Sequence, residues 1–223
     1  MKKFICLFIA VLLCCLSFTA CDGDKVDADG VSLSDTETDN VVIRVKNKGD
    51  IVIKLFPETA PKTVENFKNL VSEGFYDGLI FHRVIENFMI QGGDPNANGT
   101  GGVYDDTGNK VTIFGEFTNN GHKNDISHKR GVISMARSGN QYFPSLAYNT
   151  ASSQFFICNA DAPHLDGDYA AFGWVIAGMD VVDSITAEGI KHTSNGVISN
   201  KAYQPVIVSV TEIPEPAALS YVK

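Results

Sequence analysis

The stretch FHRVIENFMIQGGDP, residues 81 to 95, sets His82 and Arg83 among the apolar side chains of Phe81, Val84, Ile85, Phe88 and Met89. A guanidinium carries five N–H donors and keeps its charge at any working pH. One reading is plain: an edge strand whose arginine points to water, as burial statistics favour for most arginines. The other is a fixed cation held among apolar groups so that it can bind an acceptor. This stretch alone does not decide between them.

Other chemistries find little support. The five histidines, His82, His122, His128, His164 and His192, form no i, i+4 pair and have no cysteine partner, which argues against zinc. The chain has no Gly-x-Ser-x-Gly elbow to present a serine nucleophile. Asp94-Pro95-Asn96-Ala97-Asn98-Gly99 opens like a calcium loop, with Asp105 at the twelfth place. However, Gly101 stands where such loops carry an apolar residue, Asp105 replaces the usual Glu, and no helices flank the segment. A Gly-rich turn is the better reading. Gly99-Thr100-Gly101-Gly102 could cradle phosphate only ahead of a helix, and Val103-Tyr104-Asp105-Asp106 gives little sign of one. No metal and no cofactor is expected.

The elements that must hold His82 and Arg83 are mainly short strands. Val41–Val45 and Ile51–Leu55 flank Asn47-Lys48-Gly49-Asp50 and predict a hairpin. Pro61 suits a first helical turn, and Val64, Phe67, Leu70 and Val71 recur at helical spacing before a stop at Gly74. Further strands are expected at 79–85, 88–91, 111–114, 131–136, 154–158, 172–175 and 206–213. A second helix is expected from Met179 to Thr186, ending near Gly189. Many short strands with two helices predict a closed or nearly closed antiparallel sheet with helical caps. Residues 214 to 223 read as a loose tail.

The N-terminus has a different character. Lys2 and Lys3 precede an apolar run from Phe4 to Leu16, followed by Ser17-Phe18-Thr19-Ala20 and Cys21. A basic start, an apolar stretch and small residues describe a secretory signal over residues 1 to 20. The apolar run is short for a spanning helix, which needs about 20 residues. A small residue directly before cysteine resembles the bacterial lipoprotein signal, with Cys21 the lipidated first residue of the mature chain. Plain secretion or an uncleaved anchor is the alternative. Asp22 to Asn40, rich in Asp, Ser, Thr and Gly, reads as a flexible acidic tether. Of the five cysteines only Cys158 lies in the body, so the domain can form no internal disulfide. In the run Phe155-Phe156-Ile157, Cys158 reads as a small buried hydrophobe. Loss of residues 1 to 20 takes Lys2 and Lys3 from 18 basic residues, leaving 16 against 26 acidic ones, a net of −10. That balance argues against nucleic acid as a partner.

Five blocks, FHRVIENFMIQGGDP, GTGG, GVISMARS, NTASSQFFI and LDGDYAAFGWVIAGMDVVDSI, occur in the order and spacing of a cyclophilin, a peptidyl-prolyl cis-trans isomerase. The resemblance runs from about Val41 to Ile213. It implies a mainly β fold, an eight-stranded antiparallel closed β-barrel capped by two α-helices, with the substrate groove outside. It also implies that Arg83 is the catalytic arginine, with Gln91 beside it. Phe88, Met89, Phe156 and Leu165 match the pocket for the proline ring. Ala136 and Arg137 match positions whose backbone faces the peptide, and Gln154 matches another groove residue. Two positions depart from the best-known pattern: His164 stands where many members have tryptophan, and Tyr169 where many have histidine. Both put tight cyclosporin binding in doubt. The loop from Gly139 to Tyr148 is longer than usual and brings Tyr142, Phe143, Pro144 and Tyr148 near the groove.

The expectation is therefore a monomeric isomerase at 41–213 that rotates X-Pro bonds in unfolded or flexible segments of exported proteins, held at the membrane through Cys21. The rival reading is a non-catalytic chaperone or scaffold that uses the same barrel to hold proline-containing segments. The retained arginine favours the enzyme, because a pure binder could lose it without penalty.

Overall fold

The computed structural model describes residues 39–222. The leader, Cys21 and all but the end of the tether lie outside the described residues. Ten strands form one antiparallel sheet: β1 Asn40–Val45, β2 Gly49–Leu55, β3 Arg83–Ile85, β4 Met89–Gly92, β5 Val132–Met135, β6 Phe155–Cys158, β7 Ala171–Ala177, β8 Thr193–Ser194, β9 Val197–Ile198 and β10 Ile207–Ile213. Their order is β10-β1-β2-β7-β5-β6-β4-β3-β9-β8. Eight of them, β10 through β3, form the wall. Its two ends meet just ahead of β3 and β10, where Ile80 bridges Val206. There the Phe81 N–H donates to Pro205 O (3.0 Å) and the Ile207 N–H to Leu79 O (2.8 Å). The inner face is packed solid by Ile43, Ile53, Phe67, Phe81, Ile90, Phe155 and Phe172. The barrel thus has a side-chain core rather than a lumen.

Two helices cover the barrel. α1, Pro61–Ser72, buries Val64, Phe67, Leu70 and Val71, the positions its spacing predicts. Ala60 offers its N-terminus no side-chain cap. The carboxylate of Glu116 serves instead, accepting the N–H groups of Lys62 (3.1 Å) and Thr63 (2.8 Å) and the Thr63 hydroxyl (2.7 Å). A buried anion at the positive end of a helix answers both the orphan donors and the dipole. α2, Met179–Gly189, runs three residues past the expected end, burying Val181, Val182, Ile185 and Thr186. Gly178 precedes it at φ +88, where a Cβ would lie 2.1 Å from Asp50 O, so only glycine fits.

Three expectations need correction. Val111–Phe114 is no strand; Ile113 makes one isolated bridge to Ala151, while Val111 and Phe114 are exposed. Its backbone bonds go to two different neighbours, the Val111 N–H to Val103 O (2.9 Å) and the Ile113 N–H to Ala151 O (2.9 Å), so no ladder builds up. The hairpin β8–β9 was not expected, although Asn195-Gly196 between its strands is a strong turn signal. Both turn residues adopt positive φ, 52 and 83. Residues after Ile213 do not hang loose: α3, Glu215–Leu219, docks on the outer face of β1 and β2. Ala218 is buried with Val42 and Val52, and Glu215 Oε2 accepts a hydrogen bond from Asn40 Nδ2 (2.6 Å). This second cover explains why β1 is apolar on both faces. Among the described residues no helix is long and apolar enough to cross a membrane.

Candidate active site

The pairing register builds the site. Arg83 on β3 stands opposite Gln91 on β4, Gln91 opposite Phe156 on β6, and Phe156 opposite Ser134 on β5. Residues opposite one another across a sheet share a face, and this row is on the outer one. Two residues along, Ile85, Met89 and Cys158 form the next outer row. Between the rows Val84, Ile90, Ile157 and Ile133 point inward to the core. Strand alternation thus separates the barrel's core from a second apolar cluster outside it. That cluster holds Met89, Phe156, Cys158, Ala162 and Leu165, flanked by Ile85, Phe88, Ala136 and Tyr169. His164, exposed on the 3₁₀ turn Pro163–Leu165, lays its ring 5.2 Å from that of Phe88.

Arg83 is half-buried at the edge of this cluster. Its Nη1 donates to Gln91 Oε1 (3.1 Å), Gln91 Nε2 to Gln154 Oε1 (2.9 Å), and Gln154 Nε2 to Gly101 O (2.9 Å) and Gly99 O (3.2 Å). This one-directional chain fixes one corner of the guanidinium and leaves its other N–H groups without a protein acceptor among the described residues. Burial draws the pKa of Arg83 down, with the nearby Tyr169 phenol opposing. An arginine nonetheless stays charged. The edge-strand reading of Arg83, with its head in open water, does not describe this setting. β9 steadies the strand from the other side, where the Ile198 N–H donates to His82 O (3.0 Å) and the Val84 N–H to Gly196 O (2.7 Å).

Two groups that the sequence did not single out support the site. His128, buried beneath the Phe156 ring at 6.1 Å, places Nδ1 2.9 Å from Asp166 Oδ1 and Nε2 3.0 Å from Ser134 Oγ. The order Ser–His–Asp resembles a nucleophilic triad. Ser134 is fully buried under the aromatic floor, so its hydroxyl cannot meet substrate; the arrangement is a brace for Phe156. His128 and Ser134, six residues apart, meet Asp166 from a segment 38 residues on from His128, and no local motif announces them. The second group is the side chain of Arg137, expected only for its backbone. Its Nε donates to Asp168 O (2.9 Å) and Nη1 to Ser138 O (3.1 Å). The guanidinium lies 4.5 Å from the Tyr169 ring centre and 5.3 Å from that of Tyr148. Beside this cation a cleft of about 70 Å³ opens, lined by Gln91, Gly101, Lys110, Arg137, Thr150 and Gln154, among others.

The remaining candidates resolve simply. The Asp94 carboxylate accepts the N–H groups of Asn96 (2.8 Å), Asn98 (3.0 Å) and Gly99, which makes its segment a tight turn. Cys158 is fully buried beside Met89, and burial pushes its thiol up to about 12. His82 is buried with no hydrogen-bond partner on either ring nitrogen among the described residues; burial lowers its pKa, Asp94 opposes, and Arg83 adds to the lowering.

A wall of eight antiparallel strands, filled inside and bearing an arginine and an apolar cluster on its outer face, defines a cyclophilin-like barrel. Residues 40–212 match the family model for the "cyclophilin type peptidyl-prolyl cis-trans isomerase/CLD". A Helicobacter pylori peptidyl-prolyl cis-trans isomerase is 45% identical over 141 residues, which is 62% of this chain and 76% of that one. An Arabidopsis thaliana peptidyl-prolyl cis-trans isomerase is 45% identical over 138 residues, 61% of this chain and 76% of its own length. Among solved structures, a Cryptosporidium parvum cyclophilin type isomerase superposes with a TM-score of 0.66 at 30% identity, covering 80% of this chain and 99% of that one. The same Cryptosporidium parvum isomerase, crystallised in the presence of the dipeptide Ala-Pro, gives 0.64 at 29% identity, covering 79% and 99%. The chain belongs to the cyclophilin family, and its activity is peptidyl-prolyl cis-trans isomerisation.

Proposed function

We propose that Arg83 drives this isomerisation by donating to the proline nitrogen of an X-Pro bond as it twists, while Phe88, Met89, Phe156 and Leu165 hold the ring. The carrying observation is a half-buried guanidinium anchored at one corner only, beside an apolar cluster on the same face. Amide resonance imposes a rotation barrier of ~18–20 kcal/mol, so uncatalysed isomerisation takes roughly tens to hundreds of seconds. No bond breaks. In the twisted state the nitrogen regains its lone pair and becomes a better acceptor, so a donor aimed at it binds that state above either planar one. Bringing minutes to milliseconds is a factor of ~10⁵, or ~7 kcal/mol. A charge-assisted hydrogen bond supplies about 1.5–3 kcal/mol of that. Gripping the ring and excluding water supply the rest. A relative's structure with Ala-Pro supports proline-containing peptide as the ligand class. Arg83→Ala should lower kcat/KM for a proline tetrapeptide at least tenfold with the fold intact. Arg83→Lys should also be poor, since a flexible point charge does not reproduce the planar fork. Wild-type turnover by Arg83→Ala would falsify the mechanism.

The setting we propose is extracytoplasmic: Cys21 carries lipid, and Asp22 to Asn40 tethers the domain to a membrane, where it serves exported chains. What supports this reading is the basic, apolar and small-residue order of residues 1 to 20 ahead of Cys21. A single acyl chain holds a membrane only marginally, whereas several hold firmly. Intact-mass analysis should find the mature N-terminus at Cys21 with added acyl mass, and Cys21→Ser should lose it. An unmodified Cys21 removes the anchor.

A further inference from the structure

Scattered exposed apolar side chains are ordinary, but three crowd one short loop between Arg137 and Thr150. Tyr142, Phe143 and Leu146 are 84, 64 and 72% exposed. The loop under them is well tied. Asn140 Oδ1 accepts the N–H groups of Tyr142 (3.1 Å) and Phe143 (2.8 Å). A 3₁₀ turn follows at Pro144–Ala147, with the Leu146 N–H donating to Phe143 O (3.1 Å). That bond closes the turn and keeps Phe143 and Leu146 on one tight bend of the chain. Ala147 is buried, Tyr148 packs edge-on against Phe117, and Thr150 Oγ1 donates to Ala147 O (2.7 Å) while accepting the Ser138 N–H (2.9 Å). From Ser138 to Ala160 the chain carries no Asp, Glu, Lys, Arg or His, although 20% of all its residues are Asp, Glu, Lys or Arg. Both ends of the loop are walls of the site, since Arg137, Ser138 and Thr150 line the same cleft as Gln91 and Gln154.

We propose that Tyr142, Phe143 and Leu146 form an accessory docking patch for an apolar side chain of the same unfolded polypeptide whose X-Pro bond lies against Arg83. The proposal rests on the groove reading above. Its occupant follows from the patch's neutrality and from its continuity with the groove. A strand of client leaving the groove across the cleft meets the patch next. A second contact on one chain is made at high effective concentration, so even a weak patch raises affinity for long clients.

The test measures steady-state isomerisation by the full-length protein on two substrates. One is a tetrapeptide with a single X-Pro bond, spanning at most about 14 Å. The other is a reduced, carboxymethylated protein whose refolding is limited by a prolyl bond. Substituting Tyr142→Ser, Phe143→Ser and Leu146→Ser together should leave tetrapeptide kcat/KM within about twofold and raise KM for the unfolded protein about tenfold. Unchanged KM for the unfolded protein overturns the proposal. A parallel loss on the tetrapeptide does so too, because it assigns the loop to groove shape. A dimer seen by light scattering that the triple variant dissolves makes the patch a self-contact. Vesicle binding by Cys21→Ser that the triple variant abolishes makes it a lipid contact. Either result overturns the proposal. If the unsubstituted protein turned over neither substrate, the groove reading would fail instead.

Discussion

At the scale of single residues, the mechanism proposed depends on how a guanidinium is held as well as on its presence. Arg83 is fixed through Gln91, and Gln91 through Gln154, whose own N–H groups end on Gly99 O and Gly101 O. Gln154 is buried, so in the mechanism proposed its amide acts through the other two. Gln154→Leu removes the acceptor of Gln91 and frees the chain of bonds to rotate. Its kcat should fall several-fold with KM little changed. Added to Arg83→Ala it should cost nothing more, since residues in one network are not additive. Additive losses in that double-mutant cycle would give Gln154 an independent role. The Arg83–Gln91 part of this network was open to reading, because two residues eight apart across a tight hairpin fall opposite on one face. The brace under Phe156 was not. His128 and Ser134, six residues apart, meet Asp166 only once a segment 38 residues on from His128 has folded back, and each is unremarkable in its own stretch of sequence.

At the scale of elements, helix α1 illustrates how placement came to depend on a distant group. Its apolar face was plain from residue spacing, but its N-terminal cap comes from Glu116, more than fifty residues on. Glu116→Ala leaves buried donors at the helix start without an acceptor and removes an anion from the positive end of the dipole. A loss of about 2–3 kcal/mol in urea unfolding is expected. A change below about 0.5 kcal/mol would mean that water replaces the carboxylate at no cost. α3 was missed for a related reason. A five-residue helix is not stable by its own propensity, so only its docking over Val42 and Val52 makes it form. The hairpin at Asn195-Gly196 differs. Its signal was in the chain, yet two-residue strands carry too little alternation to stand out.

At the scale of the whole molecule, buried imidazoles couple folding to pH. Burial lowers the pKa of both His82 and His128 in the folded protein. The unfolded chain takes up protons near the ordinary value of about 6.5, so it binds more of them than the native state as pH falls through that value. Stability should therefore hold above about pH 6.5 and decline below it. His82→Phe, which removes a titrating ring without hydrogen-bond partners, should flatten part of the drop in urea midpoint between about pH 7.5 and about pH 5. A wild-type midpoint that rose over the same descent would contradict the sign. The barrel as a whole was the most legible feature. Its short β-branched runs and two helices follow from local pattern, whereas the strand order joining β4 to β6 and β5 to β7 is decided by long-range packing alone.

The one cysteine of the barrel sits fully buried in the outer apolar cluster with its thiol raised to about 12. Thiolate is the form that attacks disulfides and that oxidants capture. At neutral pH a group so raised is almost entirely protonated, and it is shut away from solvent as well. The domain is therefore chemically mute toward sulfur. The barrel offers a bound thiol or disulfide no partner for exchange, and peroxide no exposed thiol to capture. Isomerisation by the barrel should therefore be indifferent to thiol-blocking reagents.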